Sequence, residues 1–229
     1  MSVSPALVTL ALLLLVGVAG CSGPTEHDRI LRGGTIYDGS GGEAYVGDVA
    51  IAGGRVVKVG DLGDDTAREE LDVTGLAVAP GFVNMLSWAT DSLIIDGRSQ
   101  GDIRPGVTLE VFGEGVSYGP LNDAMQREML DGLVADYGEE RVRRWLRVPD
   151  GEPLALPWRS LGEYLEFLAA IGVAPNVASF VGATTVRVHE LGYEDRAPTA
   201  EELERMQELV REAMREGALG VGSSLIYAP

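Results

Sequence analysis

The chain has 229 residues, 45% of them hydrophobic and 31 of them glycine, enough to bury a core in one or two domains and in keeping with a globular α/β protein. Its formal net charge of −17 argues against nucleic acid or an anionic membrane surface as a partner, because proteins that bind phosphate carry excess Lys and Arg. Acidity implies little beyond solubility otherwise.

Ala6 to Ala19, with Leu12-Leu-Leu-Leu15 inside it, is the only long apolar run. A membrane-spanning helix needs about 20 such residues, so the run is better suited to a signal-peptide core, although Met1 to Thr9 lacks Lys and Arg. It ends in Val18-Ala19-Gly20-Cys21, which resembles a bacterial lipobox. That resemblance implies a signal peptide over residues 1–20, lipidation at Cys21, and an exported lipoprotein held at the membrane without spanning it, periplasmic or on the cell surface. Cys21 is the single cysteine, so it has no disulfide partner within the chain, and a buried or free thiol is the alternative. Ser22-Gly23-Pro24-Thr25 reads as a tether, assigned to residues 21–27 with His27 exposed in it.

Residues 28–79 show no helical period. Val49-Ala-Ile and Val56-Val-Lys-Val flank Ala52-Gly53-Gly54-Arg55, a tight-turn hairpin signal, and Glu70 to Ala79 continues as strand. This interval is expected to form a small β-sandwich portion, antiparallel at least in its hairpin.

Leu76 to Trp88 and Gly106 to Gly115 are short apolar runs punctuated by glycine, the pattern of buried parallel strands. Between them Ala89 to Arg104 reads as a polar, irregular loop. Met125, Met129 and Leu133 predict an amphipathic helix over Asn122 to Tyr137, with Trp145 as a packing anchor beyond it. Ser160-Leu-Gly-Glu163 and Thr199-Ala-Glu-Glu202 are capping boxes, each opening a helix; Gly172 ends the first and the second runs to about Glu216. Val173 to Gly182 and Ala218 to Tyr227 are the third and fourth apolar strands. Strands alternating with helices demand right-handed crossovers and a parallel sheet. The expected fold class is therefore α/β, and the order matches strands one to four of a (β/α)8 barrel over residues 80–229. A complete barrel takes about 250 residues, so this chain is expected to be the N-terminal part of a longer protein.

Pro80-Gly81-Phe82-Val83 and Gly106-Val-Thr-Leu-Glu-Val-Phe-Gly-Glu-Gly115 resemble the first two barrel strands of the amidohydrolase superfamily, most closely the N-acyl-D-amino-acid deacylase (D-aminoacylase) group. The resemblance implies a TIM-like amidohydrolase barrel preceded by a β-sandwich portion, whose family strands pair with strands from the far C-terminus. It also implies a hydrolase acting on non-peptide carbon–nitrogen amide bonds through metal-activated water, with zinc as cofactor and a small N-acyl amino acid or related amide as substrate. In that family Pro-Gly-Phe leads into His-x-His, two metal ligands. Here those places hold Leu86 and Trp88, which have no lone pair for zinc, so one zinc is expected rather than two.

The family's second motif ends in Asn-Cys-Gly, whose cysteine binds the tightly held zinc. Gly115 stands at the cysteine place with Glu114 before it. A carboxylate is a legitimate zinc ligand, and Glu114 is the favoured candidate. It is off by one in strand parity, which a twist at Gly113 would correct; Glu110 as the inward carboxylate, or no metal role for either, stays open. Ser223, Ser224 and Tyr227 resemble the family's strand-four ending and are candidates to line the substrate mouth. His189, after strand three, reads as a structural or rim residue. The catalytic acid/base and the remaining ligands are expected beyond Pro229, leaving this chain inactive by itself. Two other readings stand beside this one: a cyclic-amide hydrolase of the hydantoinase type, and a non-catalytic binding lipoprotein with a degenerate barrel.

Overall fold

In a computed structural model of the protein, residues 26–225 are described. The signal-peptide core, Cys21 and Tyr227 lie outside the described residues. The chain parts into two units, one ending at Pro80 and the other beginning at Gly81.

The first unit is a mixed sheet of β1 (Glu26–Ile36), β2 (Tyr45–Ala52), β3 (Arg55–Gly60), β4 (Thr66–Asp72) and β5 (Ala77–Val78). The order is β3-β2-β1-β4, and β5 also pairs with β1. β1 with β2 and β2 with β3 are antiparallel, whereas β4 and β5 run parallel to β1. Ala52 pairs with Arg55 across the expected hairpin. Its central glycines, Gly53 and Gly54, have φ of +57° and +72°, the conformation that lets a two-residue turn match the twist of its strands. Ile30, Ala50 and Leu62 form a small core.

The expected exposure of His27 is incorrect. β1 starts at Glu26 and takes in the last two residues of the anticipated tether, because the chain from Thr66 runs parallel to it and pairs Ala67 with His27. His27 is only 7% exposed, and its Nε2 lies 3.4 Å from Asp65.

The second unit holds β6 (Phe82–Asn84), β7 (Val107–Phe112), β8 (Asn176–Ser179), β9 (Val181–Gly182) and β10 (Val221–Gly222). β6, β7 and β8 lie side by side in chain order, all parallel, and β10 is parallel to β9. The helices are α1 (Thr90–Ile95), α2 (Gln100–Ile103), α3 (Asp123–Tyr137), α4 (Glu139–Trp145), α5 (Leu161–Ile171), α6 (Ala183–Leu191) and α7 (Ala200–Arg215). α3, α4 and α5 lie between β7 and β8, and α6 and α7 between β9 and β10, the alternation a parallel sheet requires.

Both capping boxes form. Ser160 accepts from Glu163 N–H and Thr199 from Glu202 N–H, and each glutamate reaches back to its cap. Asn122 caps α3 through Ala124 and Met125 N–H, and Gly172, at φ +81°, ends α5. The core gathers Phe112 of the sheet with Trp158, Leu161, Tyr164, Leu168 and Val186 from the helical layer. Trp145 packs edge-on to Tyr137 with ring centroids 5.1 Å apart.

Two expectations need correction here. The first strand ends at Asn84, because the Asn84 side-chain oxygen Oδ1 accepts from Leu86 N–H and turns the chain, a local competition that Asn side chains offer the backbone. Residues 89–104 are not wholly irregular, since α1 and α2 lie within them and Leu93 and Ile94 are buried. Of the expected fourth strand, only Val221–Gly222 is paired among the described residues.

Candidate functional site

The ends of β7, β9 and β10 are drawn together by glycine. A Cβ at Gly113 would stand 2.1 Å from the Phe180 carbonyl oxygen, one at Gly182 2.4 Å from Gly115 O, and one at Gly222 1.9 Å from Gly113 O. Side chains at these places would drive the backbones apart. Gly113 also has φ of +94°, a region L-residues rarely occupy, and there the strand changes its facing.

That turn settles the parity of Glu114. The residue leaves the alternation of β7, is half-buried, and accepts from the Ser224 hydroxyl at 3.5 Å, the outer limit of a hydrogen bond. Two of the sequence-predicted site residues are thus brought together from strands 110 positions apart. Ser223, beside Ser224, is exposed and makes no such contact. Gly115 follows with φ of +80°, and a Cβ there would lie 2.9 Å from Ser224 Cβ. A side chain at Gly115 would therefore collide with Ser224.

Glu110 lies elsewhere. It shares a strand face with Phe112, which packs in the helical core, and none of its side-chain surface is exposed. Its Oε2 accepts from Ser87 Oγ at 2.5 Å. Its Oε1 lies 3.1 Å from Ser99 Oγ, which is also 3.1 Å from Asp102. One hydroxyl proton serves a single acceptor at a time, so Ser99 donates to one of these two carboxylates and not to both. Glu110 faces these two hydroxyls and shares none of them with Glu114.

Sequence reasoning missed Ser87 and Ser99. Ser87 sits between Leu86 and Trp88, and its side chain is buried while theirs are 54% and 59% exposed. Behind the sheet, Tyr118 donates to Asp91 and Tyr164 to the Thr90 carbonyl at 3.2 Å. Burial raises both phenols well above their usual range; the Asp91 contact adds to this for Tyr118, and nearby Tyr118, Asp91 and Glu110 add to it for Tyr164.

His189, on α6, is half-buried with Nδ1 3.0 Å from Glu190, and its carbonyl accepts from Asn122 Nδ2 at 2.8 Å. That is a structural placement. Among the described residues, no group of three His, Cys, Asp or Glu is arranged to hold a metal ion. No helix among them is long and apolar enough to cross a membrane.

No family model matches the chain. Over 203 residues it is 34% identical to a D-aminoacylase from Alcaligenes xylosoxydans xylosoxydans, covering 88% of this chain and 38% of that protein. The fold superposes on a solved D-aminoacylase studied for its binuclear metal centre, with one-metal activation and second-metal attenuation, at a TM-score of 0.69 and 31% identity, covering 86% of this chain and 40% of that one. The chain is D-aminoacylase-like. A further neighbour, the N-acyl-D-glutamate deacylase of Bordetella bronchiseptica complexed with zinc and a phosphonate that mimics the reaction's tetrahedral intermediate, gives a TM-score of 0.64 at 26% identity over 89% of this chain and 40% of that one. These homologues and neighbours are amidohydrolases, and this D-aminoacylase-like chain spans about two fifths of their length.

Proposed function

We propose that the intact protein containing this chain is a zinc-dependent amidohydrolase that cleaves a carbon–nitrogen amide bond in a small N-acyl amino acid or related amide. The parallel β6 to β10 segment is the first half of a (β/α)8 barrel, residues 28–79 are part of a β-sandwich, and the protein is exported and held at the membrane by a lipid on Cys21. The kinship with zinc-bound and metal-dependent deacylases supports this reading. So does the single observation that carries it: Glu114, freed from the parity of its strand by Gly113, stands at the strand end beside Ser224.

Glu114 supplies one oxygen donor, a legitimate zinc ligand. The described residues alone do not complete a metal site, so the remaining donors are assigned to residues outside them. Leu86 and Trp88 leave the first strand without donors, which sets the expected content at one zinc.

The test is metal content and amidase activity of the full-length protein and of its Glu114→Gln variant. About one zinc per chain, hydrolysis of N-acetyl-D-amino acids, and a loss of both in the variant are the expected results. Zinc retained at full stoichiometry in Glu114→Gln would sink the ligand assignment. The exposed Leu86 and Trp88 favour a second reading, a metal-free binding lipoprotein, which wild-type protein without zinc and without amidase activity would support.

A further inference from the structure

Glu114 owes its place to more than Gly113. The residues that follow it are fastened to the junction of β9 with α6. Gly115 O accepts from Thr184 N–H at 2.9 Å. Ser117 N–H donates to Thr185 Oγ1 at 2.7 Å, and the same hydroxyl donates to the Ser117 carbonyl at 3.2 Å. Ser117 Oγ accepts from Gly182 N–H at 2.9 Å and donates to the Gly119 carbonyl at 2.5 Å. Both side chains are buried.

The fit is reciprocal. α6 begins at Gly182 without a side-chain cap, and the first amides of a helix have no partner within it. The loop supplies acceptors, Ser117 Oγ for Gly182 and Gly115 O for Thr184. The Thr185 hydroxyl in turn satisfies both backbone groups of Ser117, as a neighbouring strand would. A buried polar network whose members are all paired is rigid and specifies one arrangement. The backbones also meet too closely for a side chain, since a Cβ at Gly182 would stand 2.7 Å from the Val116 carbonyl carbon. Glu114 precedes Gly115 directly, so the direction of its side chain follows from where this clasp holds the chain.

We propose that Ser117 and Thr185 are positioning residues, whose clasp holds the Glu114 carboxylate in the direction from which it binds zinc in the intact protein. The inference rests on the ligand role given to Glu114 above. Its own ground is the paired and buried network that joins 115–119 to 182–185. Both hydroxyls donate and accept inside that network, so they act through Glu114.

The experiment measures the zinc affinity of the full-length protein by competition with a chelator, and the visible spectrum of its cobalt(II) form, which reports the geometry around each bound ion. Thr185→Val keeps the shape of the side chain and removes the hydroxyl, and Thr185→Ser keeps the hydroxyl. Ser117→Ala tests the other half of the clasp should the valine variant not fold. Thr199→Ala, at the cap of α7, is the control for lost stability. Groups that orient a metal's ligands are worth about 10–100-fold in affinity. Thr185→Val and Ser117→Ala are therefore expected to weaken zinc binding at least about ten-fold and to alter the cobalt spectrum per bound ion. Thr185→Ser and Thr199→Ala are expected to stay close to the wild type in both. Folded Thr185→Val and Ser117→Ala proteins with wild-type affinity and spectrum overturn the clasp, and leave Glu114 as a ligand if Glu114→Gln loses its zinc. A loss as large in Thr185→Ser or in Thr199→Ala overturns it as well. Zinc retained by Glu114→Gln, or a wild type without zinc, defeats the ligand reading and this inference together.

Discussion

Ser87 Oγ donates to Glu110 Oε2 across 2.5 Å, and both side chains are buried. The contact ties the chain leaving β6 to the middle of β7, next to the backbone bond from Ser87 N–H to the Val111 carbonyl at 2.9 Å. A buried carboxylate is costly unless its oxygens are met by donors, and two serines meet it here.

Ser87→Ala removes one of those donors while leaving the acceptor buried. The expected loss is about 1–3 kcal/mol of folding stability, read as a lowered urea midpoint with an unchanged slope. Glu110→Ala is also destabilising, through the cavity it leaves and the Ser87 hydroxyl it orphans. Because the two share one interaction, the double variant is expected to lose less than the sum of the singles by about 0.5–3 kcal/mol. Strict additivity would show that the hydrogen bond contributes nothing of its own.

Glycine content separates into two kinds, and substitution tells them apart. Gly113 combines φ of +94° with a Phe180 carbonyl oxygen 2.1 Å from any Cβ. Alanine there carries the left-handed penalty of about 1–2 kcal/mol plus a backbone collision, so Gly113→Ala is expected to fold poorly and to disturb Glu114. Gly132 lies within α3, exposed, with open space around a Cβ. Gly132→Ala is expected to stabilise by about 0.5–1 kcal/mol. A thermal melt of both settles the contrast, and equal effects would refute it.

Much of the helical layer was legible because its signals are local. A capping box is four residues long, so Ser160 with Glu163 and Thr199 with Glu202 announce their helices whatever the rest of the chain does. Asn122 and Gly172 mark boundaries in the same way. The strand hairpin at Gly53 and Gly54 was equally readable, since only those φ values close so tight a turn. What failed was set at long range or by a competing local bond. His27 is buried because a strand some 40 residues later lies against it, a pairing with no trace in its own neighbourhood. The apolar run through Leu86 and Trp88 reads as strand, yet one Asn84 side chain ends it at the third residue; the asparagine was the available signal. Ser87 and Glu110 meet only once β6 and β7 are in register, with Asn84 opposite Glu110. The parity problem of Glu114 was visible in the sequence, and so was the glycine before it, whose positive φ breaks the alternation.

Helix α7 allows a narrower test at its N-terminus. Thr199 accepts from Glu202 N–H at 3.2 Å while Glu202 accepts from Thr199 N–H at 2.8 Å. Thr199→Ala is expected to cost about 1 kcal/mol, and Thr199→Ser to restore most of it. If serine and alanine behave alike in chemical denaturation, the hydroxyl is not the source of the stability.

The Glu202 carboxylate adds a pH dependence with a definite sign. The Arg196 guanidinium, with the Thr199 N–H second, holds its pKa down to about 2 from an ordinary 4.5. A group depressed on folding contributes stability that is complete above its unfolded value and disappears as pH falls through its folded one. Its contribution is therefore present above about pH 4.5 and lost on approach to about pH 2. Gln in its place keeps the reach back to Thr199 N–H but has no proton to gain. Glu202→Gln is expected to be less stable than the wild type at pH 7, with the gap between them closing from pH 4.5 downwards. Asp96, whose own pKa is held at about 2 by Arg98, titrates in a neighbouring window but is unchanged in both proteins, so it cancels from the difference. Urea midpoints for the pair at pH 7, 4 and 2.5 test the point. A gap that stays constant, or widens in acid, means that the arginine does not stabilise the ionised carboxylate in the folded chain.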